Sequence, residues 1–313
     1  MTQYAFIFPG QGSQFIGMGR ELADASSAAR AVFQEIDDAL GQKLSELMWS
    51  GNEDELKLTS NTQPALMAVS VAAMAALKEL HGIDISSAKF VAGHSLGEYS
   101  ALASAGAIGI GDCARILRIR GDAMQAAVPA GQGAMAALLG ADPEQAEALC
   151  KIGATDGVCE VANDNAPGQI VISGSRAAID LACSKASEAG VKKAVPLPVS
   201  APFHCSMMQP AADRMAEALA AITIKAPAVP LVANVTAIAG SDPDAIRAQL
   251  VEQVTGRVRW RECAVYMAEQ GCSLFVEAGA GKVLTVMNRR TVRDVEGMTL
   301  GTPEDLEAFA ARL

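Results

Sequence analysis

The segment FVAGHSLGEYSALASAG (90–106) joins an apolar run to an alanine-rich run through a serine that two glycines flank. Its centre, GHSLG (93–97), has the G-x-S-x-G pattern of a sharp strand-to-helix turn that exposes the serine hydroxyl beside a helix N-terminus. The runs on either side supply the strand and the helix that this turn requires. The segment therefore predicts a buried strand, a turn that presents Ser95 as a nucleophile, and a buried helix.

Outward from this turn, short apolar strands alternate with longer alanine-rich helices, which is the pattern of a parallel sheet covered by helices. The predicted elements of this part are strands at 4–8, 89–93, 230–235 and 273–279 and helices at 62–80 and 96–105. The alternation indicates an α/β fold.

A second pattern follows AAVPAGQG (126–133), where a proline and two glycines interrupt the helical periodicity. The elements after it are a strand, a helix, two strands, a helix and a strand, at 133–140, 142–151, 159–165, 169–174, 176–189 and 192–199. This β-α-β-β-α-β order is that of a ferredoxin-like module. We therefore expect residues 128–199 to form a small domain inserted into a large domain of residues 1–127 and 200–313.

Composition narrows the class of protein. Of the 313 residues, 50% are hydrophobic and 19% are charged, which predicts a compact globular protein. The formal net charge of −10 argues against a nucleic acid partner. The most apolar stretch, PALMAVSVAAMAAL (64–77), is too short to span a bilayer and predicts a buried helix.

Cysteine and histidine usage points in the same direction. The seven cysteines include no CxxC pair, which favours reduced thiols over a disulfide framework. The three histidines are far apart, so no metal site is predicted. The start, MTQYAFIFPGQG, has no basic region and no long apolar run, and it does not have the pattern of a signal peptide. We expect a cytoplasmic protein.

A serine nucleophile requires a base, usually a histidine. His94 is expected to point away from its neighbouring serine, and His81 is expected in a surface loop. This leaves His204, in the proline-punctuated loop PVSAPFHCS (198–206). An acidic third residue is not evident, although Glu277 at the end of a predicted strand is a candidate, and the histidine does not lie near the C-terminus as in ordinary α/β-hydrolases.

One arginine interrupts the apolar face of a predicted helix. In GDCARILRIRGDAMQAA (111–127), Arg115 and Arg118 fall on the polar side, whereas Arg120 falls in the middle of the apolar face. An unpaired buried guanidinium costs several kcal/mol, so Arg120 needs an anionic partner. Two partners fit the pattern: a carboxylate of the protein in a structural ion pair, or the carboxylate of a substrate.

A glycine-rich loop, FPGQGSQFIGMG (8–19), follows the first predicted strand. It lacks the G-x-G-x-x-G spacing of a dinucleotide site and the Lys-Ser/Thr pair of a phosphate loop. Such a loop can donate a backbone N–H to an oxyanion, together with the N–H of Leu96 after the nucleophile, although a plain turn is the alternative.

Seven motifs occur in the same order along nearly the whole chain: PGQGSQ, GHSLGEYSAL, RIRG, GAMAAL, NAPGQIVISG, LPVSAPFH and EAGAGKVL. In this combination the sequence resembles the malonyl-CoA:acyl carrier protein transacylases. The resemblance implies an α/β-hydrolase-like large domain with a parallel sheet and an inserted ferredoxin-like small domain. It also implies that a malonyl group passes from malonyl-CoA to the phosphopantetheine thiol of acyl carrier protein through a malonyl-serine ester, in a ping-pong reaction that supplies fatty acid synthesis.

Carried over position by position, the resemblance makes Ser95 the nucleophile and His204 its base. Arg120 would bind the malonyl carboxylate, and the amides of Gln11 and Leu96 would form the oxyanion hole. No metal and no cofactor is implied beyond the coenzyme A thioester that serves as substrate.

Gln253, in VEQVTG, matches the glutamine whose main-chain carbonyl orients the histidine, which would account for the missing acidic residue. Two positions depart from the family pattern: Ala280 stands where many relatives have proline, and Phe203 precedes the histidine where several have serine. Phe203 is therefore expected to limit the room at the α-carbon of the acyl group.

The carrier protein of this family is acidic, so a local basic surface on this acidic chain is expected to bind it transiently. The candidates, for each of which ordinary solvated charge is the alternative, are Lys192, Lys193, Arg257, Arg259, Arg261, Lys282, Arg289 and Arg290. No membrane partner and a monomer are expected. Two other functions fit the serine turn: a thioesterase or esterase that passes the acyl group to water, and an inactive scaffold that binds the carrier.

Overall fold

The computed structural model describes residues 3–199 and 201–313, which form two β-sheets and the helices around them. The strands are β1 (Tyr4–Phe8), β2 (Phe90–Gly93), β3 (Gly133–Leu139), β4 (Cys159–Ala166), β5 (Gln169–Ser175), β6 (Lys193–Pro196), β7 (Leu231–Val232), β8 (Ala239–Gly240), β9 (Leu274–Ala278) and β10 (Glu296–Leu300). The helices are α1 (Arg20–Ala25), α2 (Ser27–Leu40), α3 (Leu44–Ser50), α4 (Glu53–Leu56), α5 (Thr59–His81), α6 (Gly97–Ser104), α7 (Ile110–Ala126), α8 (Pro143–Gly153), α9 (Arg176–Lys185), α10 (Gln209–Ala220), α11 (Pro243–Thr255), α12 (Trp260–Glu269), α13 (Val283–Thr291) and α14 (Pro303–Arg312).

The larger sheet has the strand order β10-β9-β1-β2-β7-β8. The pairs from β10 to β7 are parallel, as the alternation of strands and helices predicts. The pair β7–β8 is antiparallel, so the predicted parallel sheet becomes mixed at this edge. The reason is the short connection between the two strands, because a parallel return requires a crossover that is much longer.

The central strand β1 is buried on both faces, which explains its continuous apolar sequence. Tyr4, Phe6 and Phe8 pack into the core on the side of α5, while Ala5 and Ile7 pack on the side of α12 and α13. The apolar stretch 64–77 lies inside α5 and is almost entirely buried, as predicted. His81 is the last residue of α5 and not part of a surface loop.

The smaller sheet is antiparallel, with the order β4-β5-β3-β6, and α8 and α9 pack on it. Its elements follow the predicted strand, helix, strand, strand, helix, strand order along the chain. Asp142 caps α8, and its side chain and that of Gln145 each accept from the main-chain N–H of the other residue in a capping box. Helix α9 ends at Lys185, short of the predicted 189, and the chain then turns to Gly190 in the left-handed region.

The two sheets are connected through β4. The main-chain N–H of Asp164 donates to Val258 O at 2.9 Å, and Val258 N donates to Ala162 O at 2.8 Å. The side chain of Arg261 on α12 forms three hydrogen bonds with the Asp164 carboxylate, two from Nε and one from a terminal nitrogen. These contacts fix β4 beside the segment that precedes α12.

The structure also bears on membrane-spanning helices, metal sites and the cysteines. Among the residues that the structure describes, no helix has both the length and the hydrophobicity needed to cross a bilayer. Across residues 3–199 and 201–313, no group of three or more histidine, cysteine, aspartate or glutamate side chains could hold a metal ion. The seven cysteines are free thiols.

Candidate active site

The predicted strand-to-helix turn is present between β2 and α6. Its glycines allow close backbone packing: a Cβ atom on Gly93 would lie 1.9 Å from the carbonyl carbon of Gly97, and one on Gly97 would lie 2.2 Å from Phe8 O. Ser95 at the apex has φ 54°, in the left-handed region that non-glycine residues seldom adopt. The turn thus holds a strained serine at the carboxyl edge of the sheet.

His204 lies against this serine. Its Nε2 is 2.8 Å from Ser95 Oγ, and its Nδ1 is 2.8 Å from the main-chain oxygen of Gln253. Because a carbonyl can only accept, Nδ1 carries the proton of the neutral ring and Nε2 is free to accept the proton of the serine hydroxyl. His204 also has a positive φ, of 58°. The pair has the arrangement of a nucleophile and its general base.

The ionisation of His204 suits a base. Burial, together with the charge of Arg120, lowers the pKa of His204 to about 3, although the hydrogen bond to Gln253 acts in the opposite direction. The imidazole is therefore neutral over the range in which enzymes usually work.

His94 points away from the nucleophile, as predicted. Its Nε2 is 2.7 Å from Asn165 Oδ1 on β4, and its ring lies 5.9 Å from that of Trp260. Burial lowers the pKa of His94, although the hydrogen bond to Asn165 acts in the opposite direction.

Arg120 of α7 is only 1% exposed, and its guanidinium reaches the serine. Its two terminal nitrogens donate to Gln63 Oε1 at 2.8 Å, to Gln253 Oε1 at 2.9 Å and to Ser95 Oγ at 3.1 Å. Its Nε has no partner among the described residues. The acceptors that surround this cation are therefore neutral amide and hydroxyl oxygens.

The sequence left two partners open for Arg120, and the structure distinguishes between them. No carboxylate of the described residues forms an ion pair with its guanidinium. The ring of Tyr99 lies 5.6 Å from it, and Glu98 interacts with it through Gln253. Burial lowers the pKa of Arg120, which Tyr99 and Glu98 partly oppose. The structural ion pair was thus the wrong alternative.

A cavity of about 450 Å³ opens onto these side chains. The predicted residues that line it are Gln11, Ser95, Leu96, Arg120, Phe203 and His204. Gln253 lies behind them and is fully buried. The main-chain N–H groups of Gln11 and Leu96 donate to no other described residue, so both remain free for an oxyanion. The structure thus brings all seven predicted site residues together.

Glu277, Arg118 and the segment RVRWR make contacts that the sequence did not predict. The Glu277 carboxylate does not contact the histidine, because it accepts the main-chain N–H groups of Leu284 and Thr285 at the start of α13. Arg118 is half-buried and donates to Gln42 Oε1, so it is not simply solvated. The basic segment RVRWR supplies no free cations, since each of its arginines is paired: Arg257 with Glu147, Arg259 with Glu262, and Arg261 with Asp164.

Sequence reasoning missed three buried polar residues that contact the predicted ones. Gln63 accepts from Arg120, Asn234 accepts from the main-chain N–H of Ser95, and Glu98 accepts from Gln253. Burial raises the pKa of Glu98 to about 8, although its hydrogen bonds to Asn234 and Gln253 and the charge of Arg120 act in the opposite direction.

A signal for Glu98 was present in the sequence. It is a charged residue at the start of an otherwise apolar helix, which is the same signal that singled out Arg120. Gln63 and Asn234 carried no comparable signal, because a neutral amide side chain is common in helices and in loops.

Comparison with known families matches residues 5–302 to the acyl transferase domain. The chain belongs to the acyl transferase family. The malonyl CoA-acyl carrier protein transacylase of Bacillus subtilis (strain 168) is 44% identical to it over 308 residues, which are 98% of this chain and 96% of that protein. The resemblance seen in the sequence motifs is therefore confirmed over nearly the whole chain.

Solved structures lead to the same family. An acyl-carrier-protein-S-malonyltransferase from Bartonella henselae is 53% identical, covers 99% of each chain and superposes with a TM-score of 0.97. A malonyl-transacylase in complex with its type II PKS acyl-carrier protein is 40% identical, covers 100% of both chains and has a TM-score of 0.96. The fold of this acyl transferase is thus that of malonyl transacylases.

Proposed function

We propose that this acyl transferase moves a malonyl group from malonyl-CoA to the phosphopantetheine thiol of an acyl carrier protein, through an ester on Ser95. The observation that carries the proposal is the buried Arg120 guanidinium, which lies 3.1 Å from the Ser95 hydroxyl and forms no ion pair with a carboxylate of the described residues. The Glu98 carboxylate acts on this cation through Gln253 and not by direct contact, so an anionic acyl group that enters the cavity can form the direct ion pair. A malonyl thioester supplies a carboxylate close to the carbonyl that the serine attacks.

In the first half-reaction, His204 Nε2 accepts the Ser95 hydroxyl proton as the oxygen attacks the thioester carbonyl carbon. The carbonyl electron pair moves onto its oxygen, which the N–H groups of Leu96 and Gln11 stabilise. When this intermediate collapses, the carbon–sulfur bond breaks, and the CoA thiolate takes the proton from the imidazolium. The products are malonyl-Ser95 and CoA thiol.

The second half-reaction reverses these roles. His204 accepts the proton of the phosphopantetheine thiol, and the thiolate attacks the ester carbonyl carbon. The bond from this carbon to the Ser95 oxygen then breaks, and the serine oxygen recovers the proton. No metal and no further cofactor takes part in this scheme.

Arg120 gives the reaction its preference for malonyl groups. Acetyl and malonyl thioesters share the reacting carbonyl and differ in the distal carboxylate. A guanidinium offers that carboxylate two parallel N–H donors, which a lysine cannot reproduce. At roughly 1.5–3 kcal/mol for each hydrogen bond to a charged group, two such bonds give a discrimination of several hundredfold or more. The neutral partners Gln63 and Gln253 hold the guanidinium in place without competing for its charge.

Docking of the acidic carrier requires cations that are not already paired. With the RVRWR arginines in ion pairs, the unpaired candidates among the described residues are Lys192, Lys193, Lys282, Arg289 and Arg290, all of them exposed. Lys282 and Arg290 line a groove that also contains the exposed Val283 and Val286. We place the carrier on this groove, because a combination of cations and apolar side chains suits an acidic protein partner.

We also propose a division into two domains, an α/β-hydrolase-like large domain (1–127 and 200–313) and a ferredoxin-like small domain (128–199). The separate apolar core of the smaller sheet supports this division. We expect a monomer in the cytoplasm, where its CoA and carrier protein substrates are found.

The proposed function is tested by mass spectrometry of the intact protein after brief exposure to malonyl-CoA. We expect a malonyl adduct that is absent from Ser95→Ala, that holo-acyl carrier protein removes rapidly and that water removes slowly. His204→Ala should slow both half-reactions by about 10²–10⁴-fold. Rapid loss of the adduct in water, at a rate that carrier protein does not change, would indicate a thioesterase instead.

A further inference from the structure

Ser95 needs support for its backbone, because a left-handed non-glycine residue costs about 1–3 kcal/mol. The side chain of Asn234, which is fully buried, supplies that support. Its Oδ1 accepts the main-chain N–H of Ser95 at 2.8 Å, and its Nδ2 donates to the main-chain oxygen of Gly93 at 2.7 Å. One amide thus holds the backbone groups on both sides of His94. The two partners also fix the orientation of the amide, since a main-chain N–H only donates and a carbonyl only accepts.

Asn234 is itself held by a buried carboxylate. Its main-chain N–H donates to Glu98 Oε1 at 2.8 Å, and its main-chain oxygen accepts from Arg259 N at 3.1 Å. Glu98 belongs to the first turn of α6, directly after the nucleophile, and is 1% exposed. Helix α6, which follows the nucleophile directly, therefore supplies a carboxylate that binds Asn234, and Asn234 holds the backbone of Ser95.

The second oxygen of the carboxylate supports the other catalytic groups. Glu98 Oε2 accepts from Gln253 Nε2, which also donates to Ser95 O at 3.0 Å. Gln253 in turn accepts from Arg120 with its Oε1 and from His204 with its main-chain oxygen. Gln253 thus contacts the nucleophile, the base and the guanidinium.

The charge of Glu98 fits this arrangement. Both of its hydrogen-bond partners are N–H donors, which the ionised carboxylate satisfies and a neutral carboxamide does not. When ionised, it also acts on the charge of Arg120, to which Gln253 connects it. The carboxylate is thus more than a space-filling group.

We propose that Glu98 and Asn234 are positioning residues that hold the Ser95 turn and the Gln253 amide in the geometry required for acylation. The inference rests on the proposed acyl transfer at Ser95. Neither side chain touches the substrate: Asn234 acts on the serine backbone, and Glu98 acts through Asn234 and Gln253.

The test is the rate of malonyl-Ser95 formation in Glu98→Gln, followed by rapid quench and mass spectrometry with saturating malonyl-CoA. It is run at about pH 9, above the raised pKa of Glu98, so that the native carboxylate is ionised. We expect the rate constant to fall about 10- to 100-fold, the loss expected when a hydrogen bond to a charged group is removed. The amplitude should remain at one adduct per chain. A merely structural role would instead lower the amplitude, through a smaller folded fraction, and leave the rate constant unchanged.

Glu277→Gln is the matched control. Glu277 is also fully buried and also accepts two main-chain N–H groups, but at the start of α13. It should lower the melting temperature without changing the acylation rate constant. Equal rate constants in the wild type and Glu98→Gln would overturn the positioning role while leaving the function intact. Absence of an adduct in the wild type would overturn the proposed function and the inference with it.

Asn234→Asp provides a second variant in case Glu98→Gln does not fold. It keeps the acceptor for Ser95 N, replaces the donor to Gly93 O with an oxygen, and should slow acylation to a similar degree. In the double variant with Glu98→Gln, the total loss of acylation rate should be smaller than the two single losses combined, because both residues act through one connected set of contacts. Fully additive losses, or a wild-type rate constant in Asn234→Asp, would contradict the connection.

Discussion

The side chains of Arg120 and Arg261 both extend into the protein, and they differ in the hydrogen-bond acceptors that surround the guanidinium. Arg261 donates from Nε and a terminal nitrogen to both oxygens of Asp164, at 2.6 to 3.0 Å. Arg120 is more deeply buried, and its hydrogen bonds to described residues go to the neutral oxygens of Gln63, Gln253 and Ser95. A guanidinium with its own carboxylate joins two parts of a fold, whereas one with neutral acceptors beside a cavity is ready to bind an anion.

Replacing each arginine with alanine should have opposite effects. Arg120→Ala should reduce malonyl transfer several hundredfold or more, since two charge-assisted hydrogen bonds are lost, while acetyl transfer stays constant or rises. Arg120→Lys should recover only part of the malonyl rate. Rates with malonyl-CoA and acetyl-CoA, measured beside the melting curve, check this. If both substrates suffer equally and the melting temperature falls sharply, the two arginines do not differ in the way that we infer.

Arg261→Ala should instead lower the free energy of unfolding by about 3 kcal/mol, because it leaves the buried Asp164 carboxylate without its partner. The ratio of malonyl to acetyl transfer should stay at the wild-type value, which chemical denaturation and the two rate assays would establish. Asp164→Asn combined with Arg261→Ala should restore part of the stability, since the uncompensated charge is then removed. A changed ratio of malonyl to acetyl transfer in Arg261→Ala would contradict the purely structural role of Arg261.

The comparison also predicts how pH affects the base. Burial and the charge of Arg120 hold the pKa of His204 far below its ordinary value, at about 3. A base must be neutral to accept a proton, so acylation should fall only at pH values well below 6.5. Arg120→Ala removes one cause of the lowering, so the fall should begin at a higher pH. Acetyl-CoA is the appropriate substrate for this profile because it has no carboxylate. An unchanged acid limb would show that Arg120 does not act on the base.

Substitution of Phe203 tests whether the shape of the cavity, beside the charge of Arg120, contributes to the choice of acyl group. Phe203 lines the same cavity as Arg120. We expect it to select by size, at the α-carbon of the acyl group. One methyl group in a pocket is worth ~1–3 kcal/mol, so the wild type should prefer malonyl-CoA to methylmalonyl-CoA by roughly tenfold or more. Phe203→Ser should narrow that gap without weakening the discrimination against acetyl-CoA. Equal use of malonyl-CoA and methylmalonyl-CoA by the wild type would contradict the role.

The smallest effect is expected for exposed cations, which differ from both arginines in being solvated. Lys282→Glu and Arg290→Glu should raise the KM for acyl carrier protein roughly two- to fivefold each, more at low salt, because an exposed pair contributes little. The KM for malonyl-CoA should remain nearly constant. Arg214→Glu is the matched control, an exposed arginine on α10 with the same change of charge. If the control has an equal effect, overall charge and not the groove around Lys282 attracts the carrier.

Local sequence was sufficient for the elements around Ser95 and for the reactive groups. The strand, turn and helix around Ser95 follow from glycines and apolar runs within seventeen or so positions, because backbone sterics and periodicity are local properties. Arg120 was recognisable as a functional residue because its charge lies on the apolar, buried face of its helix, where a charged side chain needs a partner. His204 followed from there being few histidines to choose from, and the family motifs supplied the role of the Gln253 carbonyl.

Tertiary structure alone decided how these groups are held and which charges are free. Asn234 and Gln253 both donate to Glu98, from which they lie 136 and 155 positions away along the chain. No local pattern connects residues at such separations. Whether Arg120 has a carboxylate, and whether Arg257, Arg259 and Arg261 are free or paired, depends on side chains that distant elements bring into contact. A sequence specifies that a buried charge needs a partner, but only the packing of the folded chain determines whether the protein or its substrate supplies that partner.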